Sequence, residues 1–168
     1  MDNELIIRKP EESDIPLILT FIKELAEYEK LSHTVIADEE KIRTALFSDK
    51  KTAETILAFY HKKPAGFALF FHNFSTFVGK PGLYLEDLYV KPHLRGKGIG
   101  RELFNHLVKI AVERDCGRFE WAVLDWNLPA INFYKKLGAE AMDEWTVFRL
   151  DEEALKRLYE NETNEDFL

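Results

Sequence analysis

Apolar and polar positions follow two different periods along this chain, and each change of period marks an element. Leu5, Ile6 and Ile7, closed by Arg8 and Pro10, predict an opening strand. Ile15, Ile18, Leu19, Ile22, Leu25 and Ala26 then recur at helical spacing. They predict an amphipathic helix to about Lys30, capped by Ser13 or a neighbour. A shorter helix starts at Asp38, with Ile42, Ala45 and Leu46 on one face. After Asp49 the pattern turns strand-like over 55–60, 65–74 and 83–90, with a turn at His61 to Pro64 and a loop over 73–82. Residues 98–114 read as a long helix with Ile99, Leu103, Leu107, Ile110 and Ala111 as its buried stripe. A strand over 119–124 follows. Asn127 is then placed to cap a helix with Pro129 in its first turn and Gly138 at its end. A last strand over 146–150 and a helix from Asp151 complete the order β-α-α-β-β-β-α-β-α-β-α. An antiparallel meander feeding a β-α-β unit predicts an α/β fold with a mixed, mostly antiparallel sheet.

The 168 residues fit one domain, with an acidic tail over 160–168 expected to fray. A hydrophobic share of 46% supplies a core and excludes global disorder. The net charge of −7, from 23 basic and 30 acidic residues, argues against general nucleic-acid binding and favours cationic small molecules. Cys116 stands alone, so neither an intrachain disulfide nor a thiolate metal cage is available, and a reducing, cytoplasmic setting is expected. The first residues lack the pattern of a secretory signal. No apolar run approaches the roughly 20 residues needed to span a bilayer, so no membrane partner is expected. His33, His61, His72, His93 and His106 form no H-x-H or H-x-x-x-H pair, so no metal is expected.

The most informative stretch runs from Val90 to Arg101, between a strand and the long helix. Gly96, Gly98 and Gly100 let the backbone turn and approach a ligand, the helix start offers unpaired amides, and Arg95, Lys97 and Arg101 add positive charge. A diphosphate suits such a cradle. The spacing is neither that of a P-loop nor that of a dinucleotide fingerprint, which would need glycine where Arg101 stands. Read alone, the segment serves equally as a solvated connecting turn.

The run Arg95-Gly96-Lys97-Gly98-Ile99-Gly100 resembles the R/Q-x-x-G-x-G/A signature of the Gcn5-related (GNAT) N-acetyltransferases. The residues 24–30, Tyr84-Leu85-Glu86-Asp87, Asp125-Trp126-Asn127 and Asn132-Phe133-Tyr134-Lys135 resemble the spermidine/spermine and thialysine branch of that family. The likeness runs from about Leu5 to Leu150. It implies a GNAT fold with strands splayed at the cofactor site and acetyl-CoA as co-substrate. It also implies direct transfer to a small cationic amine of the thialysine, lysine-analogue, diamine or polyamine kind, and a homodimer.

Acetyl transfer needs a base for the ammonium, a donor for the oxyanion and a proton for the departing thiolate. Period-2 alternation places Glu86 among Tyr84, Leu88 and Val90, where desolvation would raise its pKa into the range of a useful base. The resemblance gives this position the base role; a structural ion pair is the plainer reading. It also makes Tyr134 the acid that protonates the thiolate, where the residues alone read as a core tyrosine. The implied cofactor contacts are Leu88, Tyr89 and Val90 for the acetyl carbonyl and pantetheine arm, 95–101 (Arg95, Gly96, Lys97, Gly98, Ile99, Gly100, Arg101) for the pyrophosphate, and Asn127 and Ala130. Asn127 is at the same time an ordinary helix cap.

The implied amine site comprises Tyr28, Glu29, Glu86, Asp87, Asp125 and Trp126, carboxylates and aromatic faces that suit a cation. Glu29 reads equally as a solvated helix end. One departure stands out. The loop from His72 to Gly79 has no carboxylate where the polyamine enzymes carry one, which favours a shorter amine over spermidine. The Phe67–Phe77 stretch, Phe70 and Phe71 above all, is expected to serve core and dimer contacts. Protein acetylation, or a non-catalytic CoA-sensing module, remain the alternative functions.

Overall fold

In the computed structural model, residues 4–162 are described. The chain divides into two compact units, Met1–Ala122 and Val123–Leu168.

The first unit is a five-stranded sheet with helices. Its strands are β1 (Leu5–Arg8), β2 (Glu54–Tyr60), β3 (Lys63–Ser75), β4 (Lys80–Val90) and β5 (Arg118–Trp121), in the spatial order β1-β2-β3-β4-β5. The first four pair antiparallel and β5 joins β4 in parallel, the mixed sheet expected from the meander. Short turns make sequential strands neighbours. The parallel step needs a crossover, and the helix α3 (Ile99–Glu113) supplies it.

Helix α1 (Ile15–Tyr28) lays Ile15, Ile18 and Phe21 against Leu57, Phe67 and Tyr89 of the sheet. The Phe21 and Phe67 rings stack with centroids 5.6 Å apart. Helix α2 (Glu39–Phe47) adds Ile42 and Leu46 to the same core. Its cap is the Asp38 side chain, which accepts from the Lys41 amide at 2.8 Å. The residue before α1 is Asp14, the neighbour of Ser13, and its side chain serves the preceding turn rather than the helix amides. Asp14 accepts from the Glu11 amide at 2.8 Å and is held by Arg8 at 2.7 and 2.9 Å. Helix α3 buries Ile99, Leu103, Phe104, Leu107 and Ala111, while Ile110 is only half-buried. Phe104 meets Phe119 and Trp121 of β5 at 4.9 and 5.2 Å.

Several expectations shift. The loop over 73–82 shrinks to a turn at 76–79, because ladder pairing continues through Asn73↔Gly82, Phe74↔Pro81 and Ser75↔Lys80. Polar composition marked that stretch as loop, yet paired backbone tolerates polar side chains on a solvated face. The strand over 119–124 ends early, at Trp121. Phe70 is 1% exposed and belongs to the core rather than to an open face, and Phe71 is half-buried against Tyr84 at 5.0 Å. The apolar surface near the turn is instead Phe74, Phe77 and Val78.

The second unit holds α4 (Leu128–Lys136) and α5 (Glu152–Glu162). Asn127 caps α4 by accepting from the Ala130 amide at 3.3 Å, with Pro129 in the first turn. Gly138, at φ +87°, follows its end. Asp151 caps α5 by accepting from the Ala154 amide at 2.8 Å. The expected strand over 146–150 is absent. Its alternating composition has strand propensity, but a strand exists only where a ladder partner satisfies its backbone, and Val147, Phe148 and Leu150 are exposed. The supposed tail starts inside α5. Residues 160–162 are helical and 163–168 lie outside the described residues. No described helix is long and apolar enough to cross a membrane.

Gly66 in β3 lies so close to β4 that a Cβ there would collide with the Tyr89 carbonyl oxygen and sit 3.1 Å from the Val90 Cα. Gly66→Ala is expected to lower stability by about 1–3 kcal/mol, the usual cost of overpacking. Urea unfolding of both proteins checks it, and an equal midpoint would show that the two strands can part there without cost.

Candidate active site

The site begins where two strands separate. The parallel ladder of β4 and β5 runs from Gly82↔Arg118 to Leu85↔Trp121 and ends there. Strand β4 continues to Val90, paired only with β3. From Glu86 onward, one side of β4 therefore has no strand partner among the described residues. Backbone donors and acceptors must pair with something, and an extended ligand arm offers the same pattern as a strand. Leu88, Tyr89 and Val90 lie in this stretch.

β4 then runs through a turn into the glycine loop. Gly96 (φ +78°) and Gly98 (φ +83°) are left-handed, which side chains other than glycine adopt only with strain. Gly98 is the residue before α3 and offers no capping side chain. The first-turn amides of a 15-residue helix thus stay turned to the loop, beside Lys97 and Arg101. Gly100 sits over β4, where a Cβ would lie 3.7 Å from Val90 Cγ2. Ile99 is 1% exposed and anchors the helix start in the core. Arg95, expected in the cradle, also makes contacts within the protein. Its guanidinium lies over the Tyr28 ring at 4.3 Å and donates from Nε to the Val90 carbonyl at 3.0 Å. It ties the loop to the end of α1 and so brings Tyr28 beside β4. Lys97 lies 5.4 Å from the Tyr60 ring.

The carboxylates rearrange the expected chemistry. Leu69 pairs with Asp87 while Phe70 pairs with Leu85, so Glu86 is an extra residue without a partner, a β-bulge. The bulge breaks the alternation that placed Glu86 among apolar neighbours. Glu86 is exposed, and the desolvation argued for it falls on Asp87. Asp87 is half-buried, and its carboxyl is pushed up to about 7, chiefly by burial, then by the negative charges of Glu86 and Glu29. Burial also raises the Glu29 carboxyl, so the end of α1 is more than a solvated helix end. Tyr89, two residues on, packs its ring on Phe21 at 6.1 Å. Burial and Glu24 push its phenol up to about 12, so at neutral pH it stays protonated.

One pairing here had no signal in the sequence. Lys91, just after β4, bonds Glu24 of α1 at 2.8 Å, 67 positions away, and holds helix and strand together.

In the second unit, Asp125 and Trp126 are exposed and Asn127 is buried as the cap of α4. Ala130 follows one turn later. Tyr134 is half-buried, its ring 5.2 Å from that of Phe133.

The acetyltransferase (GNAT) family model matches residues 21–139. The chain belongs to the GNAT family. This GNAT chain is 38% identical to the thialysine N-epsilon-acetyltransferase of Sus scrofa over 92% of its own length and 96% of that protein. It is 29% identical to the L-ornithine N5-acetyltransferase of Arabidopsis thaliana, over 90% of this chain and 86% of the relative. Among solved structures, an integron cassette protein from the mobile metagenome of V. cholerae superposes with a TM-score of 0.77 at 30% identity, covering 93% of this chain and 98% of the other. GNAT acetyltransferases use acetyl-CoA as co-substrate. The open edge of β4 and the uncapped start of α3 fit its pantetheine arm and pyrophosphate in chemical kind.

A side chain at Gly98 would force a left-handed conformation costing roughly 1–2 kcal/mol. Gly98→Ala is therefore expected to weaken acetyl-CoA binding about tenfold, with thermal stability changed less. Calorimetric titration of CoA into both proteins checks this. Equal affinity would place the diphosphate elsewhere.

Proposed function

We propose that this single catalytic domain transfers the acetyl group of acetyl-CoA directly to a small cationic amine of the thialysine, lysine-analogue, diamine or polyamine kind. The observation that carries the reading is the group of carboxylates at the β4 bulge. Asp87 stands near the negative charges of Glu86 and Glu29, which with burial push its carboxyl up. An ammonium group is the complement such a place lacks. The likeness to thialysine and ornithine acetyltransferases supports the same substrate class. The turn at 76–79 holds no carboxylate, which favours amines shorter than spermidine.

In the proposed reaction the ammonium loses a proton to the Glu86–Asp87 pair, and the amine attacks the thioester carbonyl carbon. The C–S bond breaks as the amide forms. Tyr134 gives its phenolic proton to the thiolate and is refilled from the attacking nitrogen. Backbone amides of 88–90 and the glycine loop hold the co-substrate in this reading, and Tyr28 joins Glu29 around the amine; the roles of Asn127 and Ala130 toward the co-substrate and of Asp125 and Trp126 toward the amine rest on the family resemblance. A cytoplasmic homodimer completes the reading, supported by the lone Cys116 and by exposed Phe74, Phe77 and Val78.

CoA release measured with thialysine, ornithine, putrescine, spermidine and a lysine peptide tests the substrate class. Turnover of the small amines well above that of spermidine is expected. Turnover confined to the peptide would replace the reading with protein acetylation, and CoA binding without turnover would replace it with a sensing module.

Tyr134→Phe is expected to keep CoA affinity and lose about 10²-fold or more in kcat, the usual worth of a positioned acid. An unchanged kcat would remove Tyr134 from the chemistry.

A further inference from the structure

The bulge in β4 separates two neighbouring carboxylates that the sequence leaves equivalent. Glu86 is the unpaired residue and faces solvent. Asp87 pairs in register with Leu69 and, two residues before Tyr89, shares the face of β4 that packs on Phe21 of α1. The end of α1 brings Glu29 close enough to act on it. We propose that Asp87, rather than Glu86, accepts the proton from the acceptor ammonium, and that Glu86 is an outer carboxylate that attracts the cation. The proposal rests on the small-amine reading and deepens it.

Each group facing Asp87 pushes the same way. Glu86 on its own strand and Glu29 on α1 are negative, and burial disfavours its charged form. Two cations that follow Asp87 in the chain pair with other groups. Lys91 is held by Glu24, and Arg95 by the Tyr28 ring and the Val90 carbonyl. The carboxyl, near 7, is thus partly protonated at neutral pH. An arriving ammonium stabilises the carboxylate and expels that proton to solvent. Within the half-buried ion pair, one N–H of the ammonium then passes to an Asp87 carboxylate oxygen, leaving a neutral acid and a neutral amine. Burial favours this exchange, because it removes two opposite charges from a low-dielectric place. The nitrogen lone pair is then available for the thioester carbon. A base poised near the working pH is also the most effective one.

The sign of the accompanying stability effect is fixed. A carboxyl whose pKa is raised in the fold binds a proton that the unfolded chain has already lost between about pH 4 and 7. Stability contributed by that proton is present at low pH and falls as pH rises through the folded value. Asp87→Asn, which keeps the shape without the charge, should therefore raise the melting temperature more at pH 8 than at pH 5.

The deciding experiment is a pH profile of kcat/KM for the best small amine at saturating acetyl-CoA, for the wild type, Asp87→Asn and Glu86→Gln. In the wild type an acid limb with a midpoint near 7 is expected. Asp87→Asn should abolish that limb and lower the plateau about 10²-fold, with CoA affinity retained. Glu86→Gln should raise KM and keep the limb. A carbon-13 titration of aspartate-labelled full-length protein supplies the readout independent of turnover. One carboxyl should titrate near neutrality and vanish in Asp87→Asn. A limb that survives in Asp87→Asn and disappears in Glu86→Gln would overturn the inference and return the base role to Glu86. So would aspartates that all titrate below pH 5. A wild type that acetylates none of the small amines would instead overturn the substrate reading itself.

Discussion

Strand β4 must satisfy its backbone, and over its last residues it does so on one side only. From Gly82 to Leu85 it has β3 on one side and β5 on the other; beyond the Glu86 bulge, from Asp87 to Val90, it keeps β3 alone among the described residues. This constraint organises the cofactor side of the site. The residues on the open stretch are the ones whose amides face a missing partner, and the next residues run straight into the glycine loop. Cofactor arm and cofactor phosphate are thereby offered a continuous path along one strand and onto one helix start.

The same strand separates electrostatic tasks. The chain is negative overall, yet Lys97 and Arg101 place positive charge at the loop, beside the start of α3. Its carboxylates meet at the bulge. One extra residue in β4 is enough to expose Glu86 and turn Asp87 toward α1. Arg95 contacts Tyr28 and Val90, so it couples the loop to the end of the helix that Glu29 follows.

Much of this architecture was legible along the chain. The amphipathic stripes of α1, α2 and α3 bury most of the residues their spacing marks, with Ile22, Leu25, Ala45 and Ile110 half-buried at the edges. The glycine loop falls between strand and helix, and Asn127, Pro129 and Gly138 punctuate α4 as their chemistry requires. These features are local, since capping, turn chemistry and periodicity act within a few residues. The family signature was legible for the same reason, being a run of adjacent residues.

What failed was nonlocal. The strand over 146–150 needed a ladder partner that its own pattern could not supply, and the loop over 73–82 became paired strand because two distant segments are in register. Alternation along β4 predicted a desolvated Glu86, but the register with β3 inserts a bulge there and moves the desolvation to Asp87. The charge of Glu29 acting on Asp87, and the pairing of Lys91 with Glu24, join residues far apart in the chain. The sequence by itself determined most of the elements, the glycine loop and the family. Only the tertiary structure decided which of two adjacent carboxylates is buried, because burial and charge are set by neighbours that the chain brings together only on folding.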